Sequence, residues 1–187
     1  MKAAVERGLA RREAEEITFV GLDEKSFLKG MTSDAFSCIM TDIDNHQVLD
    51  VARGRTGKGA ETLINKALNP LQQFMVCGVA MDMSAPFEKA VHKFLLCADV
   101  VFDKYHIEAR LNEGVDNTLK DHLYGLLAWF DTRITNALTE GFNTTIQALK
   151  ATAKGYRNFE NFRTAILFYC GNLDMRPDFV RVGSTIE

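Results

Sequence analysis

The sequence predicts an α/β protein built on one mixed β-sheet with helices on its faces. Three short apolar runs separated by turn residues come first and indicate antiparallel strands. Two further apolar runs then alternate with amphipathic helical segments, which is typical of strands that lie parallel to one another. The chain has 187 residues, of which 47% are hydrophobic, so it is long enough to bury the core of one domain.

The first part of the chain predicts a helix followed by a three-stranded meander. Residues 2–16 are rich in helix formers, with Arg7, Arg11 and Arg12 on the predicted polar side. A turn signal of Asp, Asn and His separates the second strand from the third. The three strands, identified by branched and aromatic apolar residues, are expected at 17–23, 34–44 and 47–54.

The second part alternates helices with strands. A helical pattern covers 59–74, and Pro70 within it marks an end or a kink. A strand, an amphipathic helix and a further strand are then expected at 75–82, 85–96 and 98–103. From 107 to 172 the chain has a helical pattern.

This order, β-β-β-α-β-α-β followed by a C-terminal helical region, matches the ribonuclease-H-like architecture. We therefore expect an N-terminal helix at 1–16, a ribonuclease-H-like domain at 17–173 and a tail at 174–187.

Composition and charge exclude several classes of protein. The net charge of −3 gives no global attraction to nucleic acid, so any such contact must come from local basic clusters. No apolar run approaches the roughly 20 residues of a membrane span, and the charged start does not read as a signal peptide. Scattered cysteines without a CxxC pair predict reduced, mostly buried thiols and a cytoplasmic location: Cys38, Cys77, Cys97 and Cys170.

Three carboxylates could converge in such a sheet. Asp23 ends the first predicted strand and Asp82 ends the fourth, and these two strands can lie side by side. Since neighbouring acids repel one another unless a cation lies between them, the pair suggests a metal site, with Glu140 on a later helix as the best third ligand. The alternative is a first strand that stops at Leu22, with Asp23 and Glu24 opening a turn.

Carboxylate oxygens suit Mg²⁺ or Mn²⁺, which are hard cations. Two such ions about 3.5–4 Å apart can activate water or a 3′-hydroxyl and stabilise the leaving oxygen of a phosphodiester. The predicted chemistry is therefore the cleavage or transfer of a nucleic-acid strand.

Six blocks of the sequence, in order, resemble the ISL3 family of insertion-sequence transposases. These blocks are "VGLDEKSFLKG", "MTDIDNHQVLDVARGRT", "VAMDMSAPFEKAV", "VVFDKYHI…LNEGVD", "LTEGFN" and "AKGYRNFENFRTAILFYCG". The resemblance implies a DDE transposase of mobile bacterial DNA, with a ribonuclease-H-like catalytic domain and Asp23, Asp82 and Glu140 as its metal-binding acids. It further implies two Mg²⁺ or Mn²⁺ ions, a nucleoid-associated location, and DNA as partner, both transposon ends and target.

The sequence also departs from the family pattern. The zinc-binding and helix-turn-helix head of the family is missing from the sequence, and so is most of the long helical segment that precedes the Glu-bearing helix. The alternative function is therefore a non-catalytic remnant that binds DNA, associates with itself or associates with full-length transposase. The decisive question is whether Glu140 still reaches Asp23 and Asp82.

Supporting roles are expected for several further residues. Asn143 follows Glu140 by three residues, so both project from one helix face, and it could support the acid or the substrate. Asp103 ends the fifth predicted strand and is either a further acid near the site or the cap of the following helix. His106 follows at the strand-to-helix junction and either orients a metal ligand, contacts a phosphate or is a structural histidine. Basic residues interleaved with aromatic ones predict DNA contacts, with the aromatics packing inward: Lys150, Lys154, Arg157 and Arg163.

Overall fold

The computed structural model describes residues 1–12, 16–28, 32, 35–102 and 137–177. Its five strands are β1 (Phe19–Ser26), β2 (Phe36–Asp42), β3 (Gln47–Arg53), β4 (Gly78–Met81) and β5 (Asp99–Phe102). The helices within these ranges are α1 (Lys2–Arg12), α2 (Gly57–Ala67), α3 (Pro70–Met75), α4 (Ala85–Phe94), α5 (Ala137–Thr152) and α6 (Phe159–Cys170).

The strands form one mixed sheet in the order β3-β2-β1-β4-β5. The first three strands make an antiparallel meander, and β4 and β5 then add in parallel to β1. Helices α2 and α4 supply the connections that parallel neighbours require. The predicted fold class, a ribonuclease-H-like mixed sheet with flanking helices, is confirmed.

The first strand is longer than the apolar run that predicted it. Asp23 pairs with Ile39 of β2, Glu24 pairs with Cys38, and the ladder continues to Ser26. A strand ending at Leu22 is therefore wrong. Antiparallel pairing to β2 satisfies the backbone of this segment even where the side chains are charged.

Pro70 begins a new helix rather than kinking the one before it. Helix α2 ends at Ala67, and the Asn69 side chain then accepts a hydrogen bond from the backbone N–H of Gln72 at 2.9 Å. The Gln72 side chain reciprocates by accepting from the Asn69 N–H, which completes a capping box.

Each face of the sheet carries its own apolar core. One face packs against α2 and α4 and buries, among others, Leu22, Met40, Leu63, Met81 and Val91. The opposite face packs against α1, α5 and α6 and buries, among others, Val5, Ile39, Val51, Ile146 and Phe162. Because Leu22 and Asp23 point to opposite faces, Asp23 lies on the face that α5 covers.

The prediction that Arg12 lies on a solvated face of α1 is wrong. Its guanidinium is buried and donates to the carbonyl oxygens of Val48 at 3.0 Å, Leu49 at 3.2 Å and Gly171. This contact ties α1 to the edge strand β3 and to the end of α6.

The start of the predicted tail is held by α1 as well. Arg7 donates to the carbonyl oxygen of Met175 at 3.1 Å, and Arg11 donates to that of Asp174 at 2.8 Å.

Two of the four cysteines depart from the expectation of buried thiols. Cys38 and Cys170 are buried, whereas Cys77 and Cys97 are exposed at the starts of β4 and β5. Among the described helices, none is both long enough and apolar enough to cross a membrane.

Candidate metal and catalytic site

Asp23 and Asp82 lie at the same edge of the sheet because β1 and β4 are parallel neighbours. Leu22 pairs with Met81 in the parallel ladder, and each acid follows its paired residue directly along the chain. The side chains of both acids are partly exposed and line the same cleft. Asp82 directly follows the end of β4, as predicted, whereas Asp23 lies within β1, and the parallel register still brings the two residues side by side.

The carboxylate of Asp23 is fixed by two donors from different elements. Its Oδ1 accepts from the backbone N–H of Glu24 at 2.6 Å, and its Oδ2 accepts from the side-chain Nδ2 of Asn143 on α5. Asn143 therefore contacts the first acid directly, a more specific role than support of Glu140 or of the substrate.

Helix α5 is docked on the sheet along one face. Thr139 and Thr41 share a buried hydroxyl hydrogen bond of 2.8 Å, and Ile146 is fully buried in the core. Near the other end of the helix, Lys150 Nζ donates to the carbonyl oxygen of Ser26 at 2.9 Å. The helix that carries Glu140 is thus held at its start, middle and end.

Glu140 lies in the same cleft as the two aspartates. The cleft has a volume of about 530 Å³ and is lined by Asp23, Glu24, Lys25, Asp82, Glu140, Asn143, Thr144 and Gln147. Glu140 is exposed, because it neighbours the docked face of α5 without belonging to it. Within the described parts of the chain, no three acidic, histidine or cysteine side chains stand close enough together to enclose a metal ion as they are placed.

Glu24 extends the acidic cleft toward the opposite face of the sheet. Together with Asp23 and Asp82 it lines a second, adjoining pocket of about 200 Å³, which reaches the start of α4 at Ser84. Partial burial of its carboxyl raises the pKa of Glu24, the positive charge of Arg55 opposes that rise, and Asp23 adds to it. The Arg55 guanidinium lies over the ring of Phe36, 4.2 Å from its centroid. From the sequence alone, Glu24 is considered only as part of a turn after Leu22.

The basic residues predicted to bind DNA divide into two groups. Lys150 is engaged with Ser26, and Arg163 forms a two-point ion pair with Asp50 of β3, at 2.6 and 2.7 Å. Lys154 and Arg157, in contrast, are exposed in the turn between α5 and α6.

A surface groove of about 520 Å³ brings Arg157 beside two further exposed cations, Arg53 at the end of β3 and Lys66 on α2. The sequence does not indicate a role for Lys66, since only the fold brings α2 and the α5–α6 turn to one edge. The aromatics of this region pack, as expected: Phe162 is fully buried, with its ring centroid 5.1 Å from that of Phe27.

Other acids near the meander have structural roles. Both Oδ atoms of Asp42 accept hydrogen bonds within the hairpin turn, including those from the Asp44 and Asn45 N–H groups at 3.0 Å. Asp103 and His106 lie outside the described residues.

Comparison with known proteins identifies a family. A family model described as a transposase, that of the ISL3 family, matches residues 20–122 and 115–166. The two segments together contain every strand of the sheet, the acids at 23 and 82, and the docked helix with Glu140. No curated protein matches this chain.

Proposed function

The chain belongs to the ISL3 family of transposases, and we propose that it carries the metal-dependent catalytic core that cleaves and joins DNA strands. The observation that carries this proposal is the shared cleft of Asp23, Asp82 and Glu140, which come from β1, from the residue directly after β4 and from a helix docked on the sheet. DNA is the partner that the transposase family implies. The transposon ends and the target site are the DNA segments we propose to act on.

The donor chemistry of the cleft is the reason for proposing a divalent cation. The cleft offers carboxylate oxygens from three separate elements, which is the donor chemistry of Mg²⁺ and Mn²⁺. Asp23, Asp82 and Glu140 would hold the ions, of which we propose two. When bound, such ions activate the attacking oxygen and stabilise the leaving oxygen of a phosphodiester.

Electrostatics also support a cation in this cleft. Several carboxylates face one open space, and a DNA phosphate entering it would be repelled by all of them. Asp23 is already held by two hydrogen bonds, and the exposed Glu140 side chain is free of the packed face of α5, so it can turn toward an ion at little cost. The protein then contributes by positioning the acids and the substrate.

The DNA backbone is proposed to follow the basic groove at the edge of the sheet. Arg53 ends β3 at the same edge at which β1 ends, because the two strands run in the same direction on either side of β2. Phosphates that contact Arg53, Lys66 and Arg157 would therefore lie on the side of the molecule that bears the acidic cleft. Lys154 neighbours this groove in the sequence and is proposed to contribute to the same contact.

The docking of α5 favours the catalytic function over a non-catalytic remnant. The observation that would favour the remnant hypothesis is a Glu-bearing helix displaced from the sheet. The buried contacts of Thr139 and Ile146 instead hold that helix beside β1 and β2.

Calorimetric titration with Mn²⁺ tests the proposal. Asp23→Ala, Asp82→Ala and Glu140→Ala should each weaken Mn²⁺ binding by about tenfold or more, or about 1.4 kcal/mol, because each removes a charged oxygen ligand. Asp44→Ala is the matched control, since this exposed acid lies in a hairpin turn at the other end of the sheet.

DNA nicking with Mn²⁺ should be lost in the same three variants and kept in Asp44→Ala. The proposal would be overturned if the wild type bound Mn²⁺ no more tightly than a variant that carries all three substitutions. Weakened binding in the Asp variants but not in Glu140→Ala would instead favour the remnant.

A further inference from the structure

The buried side-chain amide of Asn143 makes a hydrogen bond at its nitrogen but not at its oxygen. The side chain is only 6% exposed, and its Nδ2 donates to Oδ2 of Asp23. Its Oδ1 is buried and accepts no hydrogen bond within the parts of the chain that the structure describes. One end thus makes a charge-assisted hydrogen bond, while the other bears the cost of desolvation.

This imbalance argues against a role in docking the helix. A buried carbonyl oxygen without a hydrogen bond is destabilising, and this cost offsets much of what the bond to Asp23 contributes. Docking is already supplied by Thr139, Ile146 and Lys150 on the same helix face. For holding α5 on the sheet, an apolar side chain of similar size at position 143 would serve as well as or better than the amide.

We propose that Asn143 is a positioning residue for Asp23, and this inference rests on the proposed function. The bond from Nδ2, with the bond from the Glu24 N–H, fixes both oxygens of the Asp23 carboxylate. It also joins the first acid directly to the helix that carries Glu140, three residues earlier. The distance between two proposed metal ligands on separate elements is thereby set by one hydrogen bond. Partners that orient metal ligands in this way typically alter metal affinity by 10–100-fold.

The test compares Asn143→Leu with Asn161→Leu in the full chain. Asn161 is an exposed asparagine on α6 and lies outside the cleft. Asn143→Leu should weaken Mn²⁺ binding by about tenfold or more in calorimetry while leaving the urea unfolding midpoint unchanged or raised. Asn161→Leu should change neither quantity.

The opposite pattern overturns the inference. Asn143 is structural if Asn143→Leu binds Mn²⁺ as tightly as the wild type, or if its loss of affinity is fully explained by a loss of folding stability. In both cases the proposed function still stands. If the wild type binds no Mn²⁺, the proposed function and this inference fail together.

A second test measures NMR signals of the wild-type protein, so its outcome does not depend on the stability of a variant. The side-chain amide ¹⁵N–¹H signals of Asn143, assigned by comparison with Asn143→Leu or Asn143→Ala, should shift when Mg²⁺ is added to the wild type. Those of Asn161, which is exposed on α6 outside the cleft, should not. An Asn143 signal that is unchanged at saturating Mg²⁺ overturns the positioning role.

Discussion

Charged side chains in this protein acquire their roles from what the fold places beside them. Arg163 has the sequence context of a DNA-binding residue, yet its guanidinium is paired with Asp50, whose side chain is only 3% exposed. The hydrogen bond to Asp50 raises the pKa of Arg163 above its usual value. An ion pair of this kind is costly to break from one side, because the remaining charge stays buried. We therefore place the proposed DNA contact on Arg157 rather than on Arg163.

The surroundings of the cysteine thiols also determine their reactivity. Burial, together with the nearby carboxylates of Glu24 and Asp23, raises the pKa of Cys38 to about 12. Burial also raises the pKa of Cys170 to about 11. A thiol with a raised pKa remains protonated at neutral pH, and the protonated form is not the nucleophile.

We predict that two of the four thiols react rapidly with a disulfide reagent in the native protein at pH 8. These are Cys77 and Cys97, which are exposed; Cys38 and Cys170 should react only after unfolding. The measurement is a stopped-flow count of reactive thiols, with Cys77→Ser and Cys97→Ser to assign the fast phase. Four equal rates in folded protein would contradict the burial of Cys38 and Cys170.

Helix α5 is the element on which assembly of the site depends. Thr139, Asn143, Ile146 and Lys150 recur at the spacing of one helix face, and each contacts the sheet or its core. The helix also carries Glu140, so loss of its docking would remove the third carboxylate from the cleft. Ile146 contributes the apolar part of this contact.

Ile146→Ala is predicted to lower the free energy of unfolding by about 3 kcal/mol, because it removes a fully buried side chain and leaves a cavity. The measurement is urea denaturation followed by circular dichroism. Thr145→Ala is the matched control, since Thr145 is the preceding residue and is exposed; its effect should stay within about 0.5 kcal/mol. Equal stabilities for the two variants would mean that α5 is not docked in solution.

At the scale of the whole molecule, charge is distributed unevenly. The chain carries a net charge of −3, and acids line the cleft, while exposed cations collect in the groove of Arg53, Lys66 and Arg157. A polyanion such as DNA is attracted to the second surface and reaches the first only when cations neutralise it. Binding to DNA should therefore depend on the groove and on salt.

Arg157→Ala is predicted to weaken binding to duplex DNA of any sequence and to reduce the slope of log K against log salt by about 1, the contribution of one phosphate contact. Fluorescence anisotropy across a series of salt concentrations measures both quantities. Arg176→Ala removes the same charge from an exposed residue paired with Asp174 and should leave both unchanged. If the two variants bind DNA alike, the groove is not the DNA contact.

Much of the fold could be predicted from local patterns. Apolar runs, turn residues and the alternation of helices with strands gave the element order and the mixed sheet, since each of these signals acts over a few residues. The placement of Asp23 beside Asp82 also followed, because β1 and β4 are parallel neighbours that run toward the same edge of the sheet. The extension of β1 through Glu24 did not follow, because pairing with β2 outweighs the low strand propensity of acids.

The sequence by itself determined the order of the elements, because periodicity is a property of the chain alone, and its six motif blocks determined the family through their resemblance to ISL3 transposases. Only the tertiary structure decided which cations remain at the surface and which donor holds Asp23. Arg12 is buried against β3, Arg163 pairs with Asp50, and Asn143 contacts an acid 120 positions away in the chain. The physical reason is that a polar side chain loses its hydrogen bonds to water when it is buried, so it must pair with the protein group beside it. In this protein those groups lie far apart in sequence.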